Sequence, residues 1–122
     1  MSASPYSPLV RELFRNPRAA GVISPASDVL TGEAGSVQAG AWVRFSLRIR
    51  DGLVTDARFK AYGCPHTLAG AAWVAEHLAG RRLDAAFPEG AAGLAQVLDA
   101  PAEKLGRLLI VEDALRDCLR HA

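Results

Sequence analysis

The chain has 122 residues, and its 14 Lys and Arg residues nearly balance its 13 Asp and Glu residues, for a formal net charge of +1. Such a balance gives no overall field that would attract nucleic acid or a membrane surface, so we expect neither as a partner. The length predicts one domain, residues 1–122, with one hydrophobic core. No apolar run reaches the length of a membrane span, and the opening MSASPYSPLV lacks the features of a signal peptide, so we expect a cytoplasmic protein.

The first element is a short helix. Residues 1–5 are expected to fray, Ser7 is placed to cap the helix, and Pro8 suits its first position because an N-H there would be unpaired anyway. Asn16-Pro17 ends it. The predicted apolar stripe consists of Leu9, Val10, Leu13 and Phe14.

The stretch from Gly21 to Gly40 is rich in Gly, Ser, Pro, Asp and Thr and has little periodicity. This composition is typical of a long loop, with an irregular edge strand around Gly35 to Gln38 as the alternative. We expect this stretch to be flexible.

A β-hairpin follows. Apolar residues alternate with polar ones from Val43 to Arg50, and alternation resumes from Leu53 to Tyr62. A period of two predicts strands with one buried face. Asp51-Gly52 between them is typical of a two-residue hairpin turn.

Cys64 lies where the second of these strands gives way to a helix. Pro65 suits the first helical turn, apolar residues then recur at three- and four-residue spacing, and Gly80 ends the helix. A helix N-terminus favours a thiolate, so Cys64 could be a metal ligand or a nucleophile. It could equally be a small buried apolar residue, a common fate of free cysteine.

The remainder is predicted to be helical. Residues 81–86 form a connector or short helix, Gly90 to Ala100 contains a helical turn, and Pro101 opens the last helix. Its buried face is predicted to hold Leu105, Leu108, Leu109, Ala114, Leu115, Cys118 and Leu119. Its solvent face is predicted to hold Glu112, Asp113, Arg116 and Asp117. The order of elements predicts an α+β domain with helices packed on one face of a small antiparallel sheet.

Few side chains suggest chemistry. Cys64 and Cys118 fall in different elements and do not indicate a disulfide framework. His66 is the nearest partner for the Cys64 sulfur and could assist a metal site or act as a base. His77 and His121 are expected at the surface. No catalytic motif is present, so we predict a protein that is not an enzyme.

Three segments together resemble the IscU/NifU-type iron-sulfur cluster assembly scaffold family. Tyr6-Ser7 with Asn16-Pro17-Arg18 and Gly21 is similar to the family's YS...NPR..G segment. The run from Asp56 to Cys64 is similar to its DARFK.YGC signature, and Glu112 to Leu115 to its EDA helix. The resemblance implies a three-stranded antiparallel sheet packed by helices.

The resemblance also implies a site. In that family three cysteines, aided by an aspartate or histidine, hold a nascent 2Fe-2S cluster or a zinc ion. The first cysteine and the aspartate are replaced here by Ala39 and Ala41, and the second cysteine is matched by Cys64. The positions of the histidine and the third cysteine hold Gly106 and Arg107, which cannot ligate metal.

We therefore predict a cluster-assembly scaffold-like protein with a degenerate site centred on Cys64. A dimer contributing Cys64 from each subunit, or an external thiol, could still complete a cluster site. The alternatives are a metal-free adaptor that binds assembly partners such as a cysteine desulfurase, and a sulfur carrier or thiol enzyme using Cys64. The family's chaperone-recognition segment, LPPVK, is matched only as Ala100 to Lys104, which keeps the lysine and loses most apolar anchors.

Overall fold

The computed structural model describes residues 5–122. The strands of this part of the chain are β1 (Val29–Ser36), β2 (Ala41–Arg50) and β3 (Leu53–Tyr62). The helices are α1 (Pro8–Arg15), α2 (Pro65–Leu78), α3 (Gly90–Leu98) and α4 (Leu105–Arg120), with 3-10 turns at Leu83–Ala85 and Ala102–Lys104. Apart from Pro5, the predicted frayed stretch lies outside the described residues.

The first helix begins as predicted. The Ser7 hydroxyl accepts a hydrogen bond from the Val10 N-H at 3.2 Å and donates one to the Leu98 carbonyl oxygen at 2.7 Å, which joins the cap to α3. Val10 and Leu13 are buried against the core. The prediction that Leu9 and Phe14 complete a buried stripe is wrong, because both are exposed and Phe14 keeps 48% of its surface accessible.

The hairpin is confirmed. Strands β2 and β3 pair antiparallel from Trp42 opposite Tyr62 to Arg50 opposite Leu53. Asp51 and Gly52 both have positive φ, 53° and 76°, the combination that a two-residue turn matching the sheet twist requires.

The prediction of a long loop from Gly21 to Gly40 is wrong for the eight residues from Val29 to Ser36. Residues Val29–Ser36 form an edge strand that pairs antiparallel with β2, from Val29 opposite Arg48 to Ser36 opposite Ala41. The edge strand thus begins well before Gly35, where the sequence placed it. Its composition is poor in strand formers, so the pairing depends on β2 and on the helix packed behind it rather than on local propensity.

All helices lie on one side of the sheet, whose strand order is β1-β2-β3. Helix α2 packs on β3, α4 packs on β1 and β2, and α1 and α3 pack on these two helices. Val43, Phe45 and Leu47 face the helices and are fully buried. The predicted α+β architecture, a three-stranded antiparallel sheet covered by helices, is confirmed.

The last helix departs from its predicted faces at several positions. Leu105 and Leu109 are exposed, whereas Cys118 is buried as expected. Glu112, predicted to point into solvent, has a side chain only 14% exposed. Its Oε1 accepts a hydrogen bond from the Ala91 N-H at 2.7 Å, and its Oε2 pairs with Arg116 at 2.7 Å, so this carboxylate caps the neighbouring helix α3.

Gly32 shows how closely β1 and α4 approach. A methyl group at Gly32 would collide with the backbone of Cys118, Asp117 and Ala114. We expect Gly32→Ala to lower the free energy of unfolding by at least about 2 kcal/mol, since only backbone movement relieves the clash. Urea denaturation followed by circular dichroism measures the change.

The matched control is Gly106→Ala, which adds the same methyl group where nothing lies within 4 Å. It should raise stability by about 0.5 to 1 kcal/mol because alanine is the better helix former. Equal stability of the two variants would refute the close contact between strand and helix.

Candidate functional site

Cys64 occupies the N-cap position of α2, directly after β3. Gly63 makes this turn possible: its φ is +150°, and a Cβ there would lie 3.0 Å from the side chain of Thr67. The Cys64 sulfur is half-buried and lies 3.7 Å from the Thr67 hydroxyl. The sequence placed Cys64 correctly at the junction of strand and helix.

The environment of the sulfur stabilises a thiolate. Partial burial opposes ionisation of Cys64. The backbone and hydroxyl of Thr67 and the backbone of His66 donate hydrogen bonds to the sulfur, and Lys104 adds a positive charge. Together these interactions lower the pKa of Cys64 below its ordinary value. Cys118 is the opposite case, because burial raises its pKa to about 12. Of the two cysteines, only Cys64 is suited to chemistry.

His66 is 1% exposed, and its ring lies 5.0 Å from that of Tyr6. Neither ring nitrogen has a hydrogen-bond partner within residues 5–122. Burial, with a smaller effect of the Lys104 charge, lowers the pKa of His66, so the ring is neutral near pH 7. The polar side-chain contact of the sulfur is with Thr67, and a role for His66 as ligand or base stays a prediction.

The turn that follows β1 lies at the same end of the sheet as Cys64. The pairing of Trp42 with Tyr62 places Ala41 level with Gly63, next to Cys64 in the chain. The Ala39 N-H donates to the Ser36 hydroxyl at 3.0 Å, and Gly40 has a φ of +87°. The sheet register thus brings the turn that contains Ala39 and Gly40 to the same end of the sheet as Cys64.

Arg107 covers this loop from the start of α4. A methyl group built on Gly40 would lie 3.6 Å from Nη1 of Arg107 and 3.9 Å from Nη2. No ion pair to Arg107 occurs among the described residues. A methyl group added to Gly106 would have no neighbour within 4 Å, so this position leaves open space beside Arg107.

Lys104 is the member of this site that sequence reasoning missed. It ends the 3-10 turn Ala102–Lys104, and its charge acts on both Cys64 and His66. The available signal was the lysine retained in the match to LPPVK. The site therefore combines one thiol with the positive charge of Lys104, and Arg107 lies beside Gly40 in the turn before β2.

This donor set does not fit a metal ion. Across residues 5–122, no three His, Cys, Asp or Glu side chains are grouped so that they could hold one. The remaining predicted histidines lie elsewhere: His77 stacks on Trp73 at the surface, and His121 is exposed.

No helix within residues 5–122 is long and apolar enough to cross a bilayer.

We expect Cys64 to react with iodoacetamide at a lower pH than an ordinary thiol, whose pKa is about 8.5, because more thiolate is present near neutral pH. Thr67→Val and Lys104→Ala should each move the midpoint of the rate profile upward. Mass spectrometry of the folded protein across pH measures the rate of modification, and Cys118 should stay unmodified.

The control variant is Lys60→Ala, which removes an equal charge outside the site and should leave the midpoint unchanged. An unchanged midpoint in all three variants would refute the assigned causes.

Two comparisons of the amino-acid sequence identify relatives. Residues 5–121 match the profile of the NifU-like N terminal domain. The chain is 31% identical over 117 residues to the iron-sulfur cluster assembly scaffold protein IscU of Azotobacter vinelandii, covering 94% of this chain and 91% of that one. It is also 31% identical over 113 residues to IscU of Escherichia coli K12, covering 91% and 88%.

Solved structures share the fold. A protein proposed as a cluster assembly scaffold for the SUF system of Fervidobacterium islandicum AW-1 superposes with a TM-score of 0.75 at 15% identity, covering 94% of this chain and 96% of that one. The N-terminal part of a NifU-like protein from Brucella abortus superposes with a TM-score of 0.57 at 24% identity, covering 95% and 81%. On the profile match and the identity to IscU, the chain belongs to the NifU-like N-terminal domain family.

Proposed function

We propose that this protein acts in iron-sulfur cluster assembly as a scaffold-like protein whose own cluster site is degenerate. The observation that carries the proposal is the single thiol Cys64, on which the charge of Lys104 acts, with Arg107 beside Gly40 at a position that the family resemblance implies for a ligand. The relatives named scaffold proteins support the pathway. A non-catalytic role and a cytoplasmic location stay predictions.

The chemistry of the replaced positions supports the degenerate site. Iron-sulfur clusters and tetrahedral zinc need several thiolate or imidazole ligands converging on one point. The methyl groups of Ala39 and Ala41 supply none, and the guanidinium of Arg107 is a cation that repels a metal ion. A cluster shared by Cys64 from two subunits would circumvent this shortage.

A second candidate is sulfur transfer through Cys64, favoured by its lowered pKa. The Cys64 thiolate would attack the terminal sulfur of a donor persulfide, forming a new S-S bond at Cys64 while the donor's S-S bond breaks and the donor leaves as a thiolate. Lys104 would stabilise the anionic persulfide that results. Both candidate functions share a cysteine desulfurase as the proposed partner.

The ligand deficit predicts a result for metal reconstitution. Incubated anaerobically with ferrous iron and sulfide, the protein should retain far less than one cluster per chain. The variant Ala39→Cys, Ala41→Asp, Arg107→Cys should gain a visible absorption spectrum, iron and acid-labile sulfide, because it restores the missing donors around Cys64.

Adding Cys64→Ser to that triple variant should abolish the gain, whereas adding Cys118→Ser should not. A stable stoichiometric cluster on the unmodified protein, lost in Cys64→Ser, would refute the degenerate site. Size-exclusion chromatography would then show whether a dimer carries that cluster.

The partner proposal predicts direct binding of a cysteine desulfurase. Isothermal titration calorimetry with the purified desulfurase should detect a complex that Cys64→Ser retains, because most of an interface lies outside one thiol. In sulfur transfer with radiolabelled cysteine, label should reach the protein and be absent in Cys64→Ser. Absence of any complex at low ionic strength would contradict the partnership; a complex without transfer would favour the adaptor over the carrier.

A further inference from the structure

A groove lies between the end of α1 and the end of β3, one helical turn from Cys64. Its volume is about 310 Å³, and Lys60 is the only charged residue among its lining residues. Its lining includes the large apolar residues Leu13, Phe14, Trp42, Phe59 and Leu68. Phe14 is 48% exposed, so this is apolar surface that the described residues leave open to solvent.

One wall of the groove is an unpaired strand edge. Residues 19–21 pair parallel with β3, since the Phe59 N-H donates to Ala19 O at 3.0 Å and the Gly21 N-H donates to Phe59 O at 2.9 Å. Gly21 has a φ of +139°, and within residues 5–122 no backbone hydrogen bond joins residues 22–28 to β3. Beyond this point the edge of β3 is no longer covered by residues 19–21.

The exposed backbone groups belong to Ala61. Hydrogen bonds alternate along an antiparallel ladder, so Ala61, two residues beyond Phe59, directs its N-H and carbonyl to the same open side. Between residues 5 and 122, no hydrogen bond outside the β2-β3 ladder reaches the Ala61 backbone. An extended segment added here would continue the pairing that residues 19–21 begin.

The charged side chain in the groove favours a partner that carries a carboxylate. Arg44, opposite Lys60 in the sheet, already pairs with Glu33 at 2.7 Å, and Arg58 lies 3.5 Å from Asp56. Lys60 is exposed and has no ion pair with any described residue. A carboxylate on an incoming segment would meet a free ammonium group and no competing acid in the groove.

We propose that this groove binds an extended peptide segment of another protein, which adds to the edge of β3 at Ala61, inserts a large apolar side chain beside Phe14 and places a carboxylate on Lys60. Strand addition of this kind obtains affinity from backbone hydrogen bonds and selectivity from side-chain contacts. The proposal is independent of the cluster site, since none of these groups is a candidate ligand.

The test uses a fluorescein-labelled peptide, Ser-Asp-Leu-Val-Leu-Asp-Ser, titrated with the full chain in fluorescence anisotropy at low salt. Binding should weaken about tenfold with Lys60→Glu and with Phe14→Ser. Leu109→Ser is the matched control, since Leu109 is an apolar residue on α4 of similar exposure, 43% against 48% for Phe14, and the change should not affect binding. A peptide with lysine in place of aspartate should bind poorly to the natural protein and better to Lys60→Glu.

A peptide that is N-methylated at each alternate backbone amide keeps its side chains and should lose binding, which separates strand addition from adhesion to an apolar surface. Chemical-shift changes in the natural protein should centre on Ala61 and the end of α1. Failure of the acidic peptide to bind, equal binding of the two peptides, or insensitivity to Lys60→Glu would overturn the proposal. Sedimentation that shows a dimer abolished by Phe14→Ser would overturn it in favour of a second copy as the occupant.

Discussion

The register of the β2-β3 hairpin is the constraint on which the rest of the site depends. Pairing Trp42 with Tyr62 brings the end of β3 level with the start of β2. Cys64 then follows as the N-cap of α2, and the turn at Gly40 lies at the same end of the sheet. A slip of one residue would turn Phe45 and Phe59 out of the core, so burial holds this register firmly.

The core and the site have separate physical requirements, which explains how the fold persists with so few metal donors. The core needs apolar side chains at alternating and helical spacing, and it has them in fully buried Phe45, Leu47 and Leu108. A cluster site needs several soft or nitrogen donors that converge on one point, which the packing of the core does not require. The architecture is therefore complete with Ala39, Ala41 and Arg107, none of which is a metal donor.

The positive charge beside Cys64 favours an anion over a metal cation. A ligand set of thiolates and carboxylate would be anionic and attract metal ions, whereas Lys104 favours the Cys64 thiolate and Arg107 adds a second cation beside Gly40. The arrangement suits a protein that presents one activated thiol to a partner. The peptide groove beside α2 would place such a partner one helical turn from that thiol.

Much of this could be read from local sequence. The Ser7 cap, the Asp51-Gly52 turn, the alternation of β2 and β3 and the glycine before Cys64 are signals that act within a few residues. The family motifs implied which positions correspond to ligands, Arg107 among them, and this correspondence stays a prediction. Local rules sufficed there because each element is specified by its own short-range contacts and by a buried face that its period reveals.

Only the tertiary structure decided the features that arise between distant segments. Strand β1 was hidden because its residues are weak strand formers and its pairing partner lies across a turn, with Gly32 required for close contact with α4. From the sequence, Glu112 was expected to be a solvated acid. In the fold it accepts a hydrogen bond from the Ala91 N-H and so caps α3. Lys104 acts on Cys64 because α4 packs beside α2. The energy of a charge interaction depends on the distance between the two groups, and this distance cannot be read from their separation in the sequence.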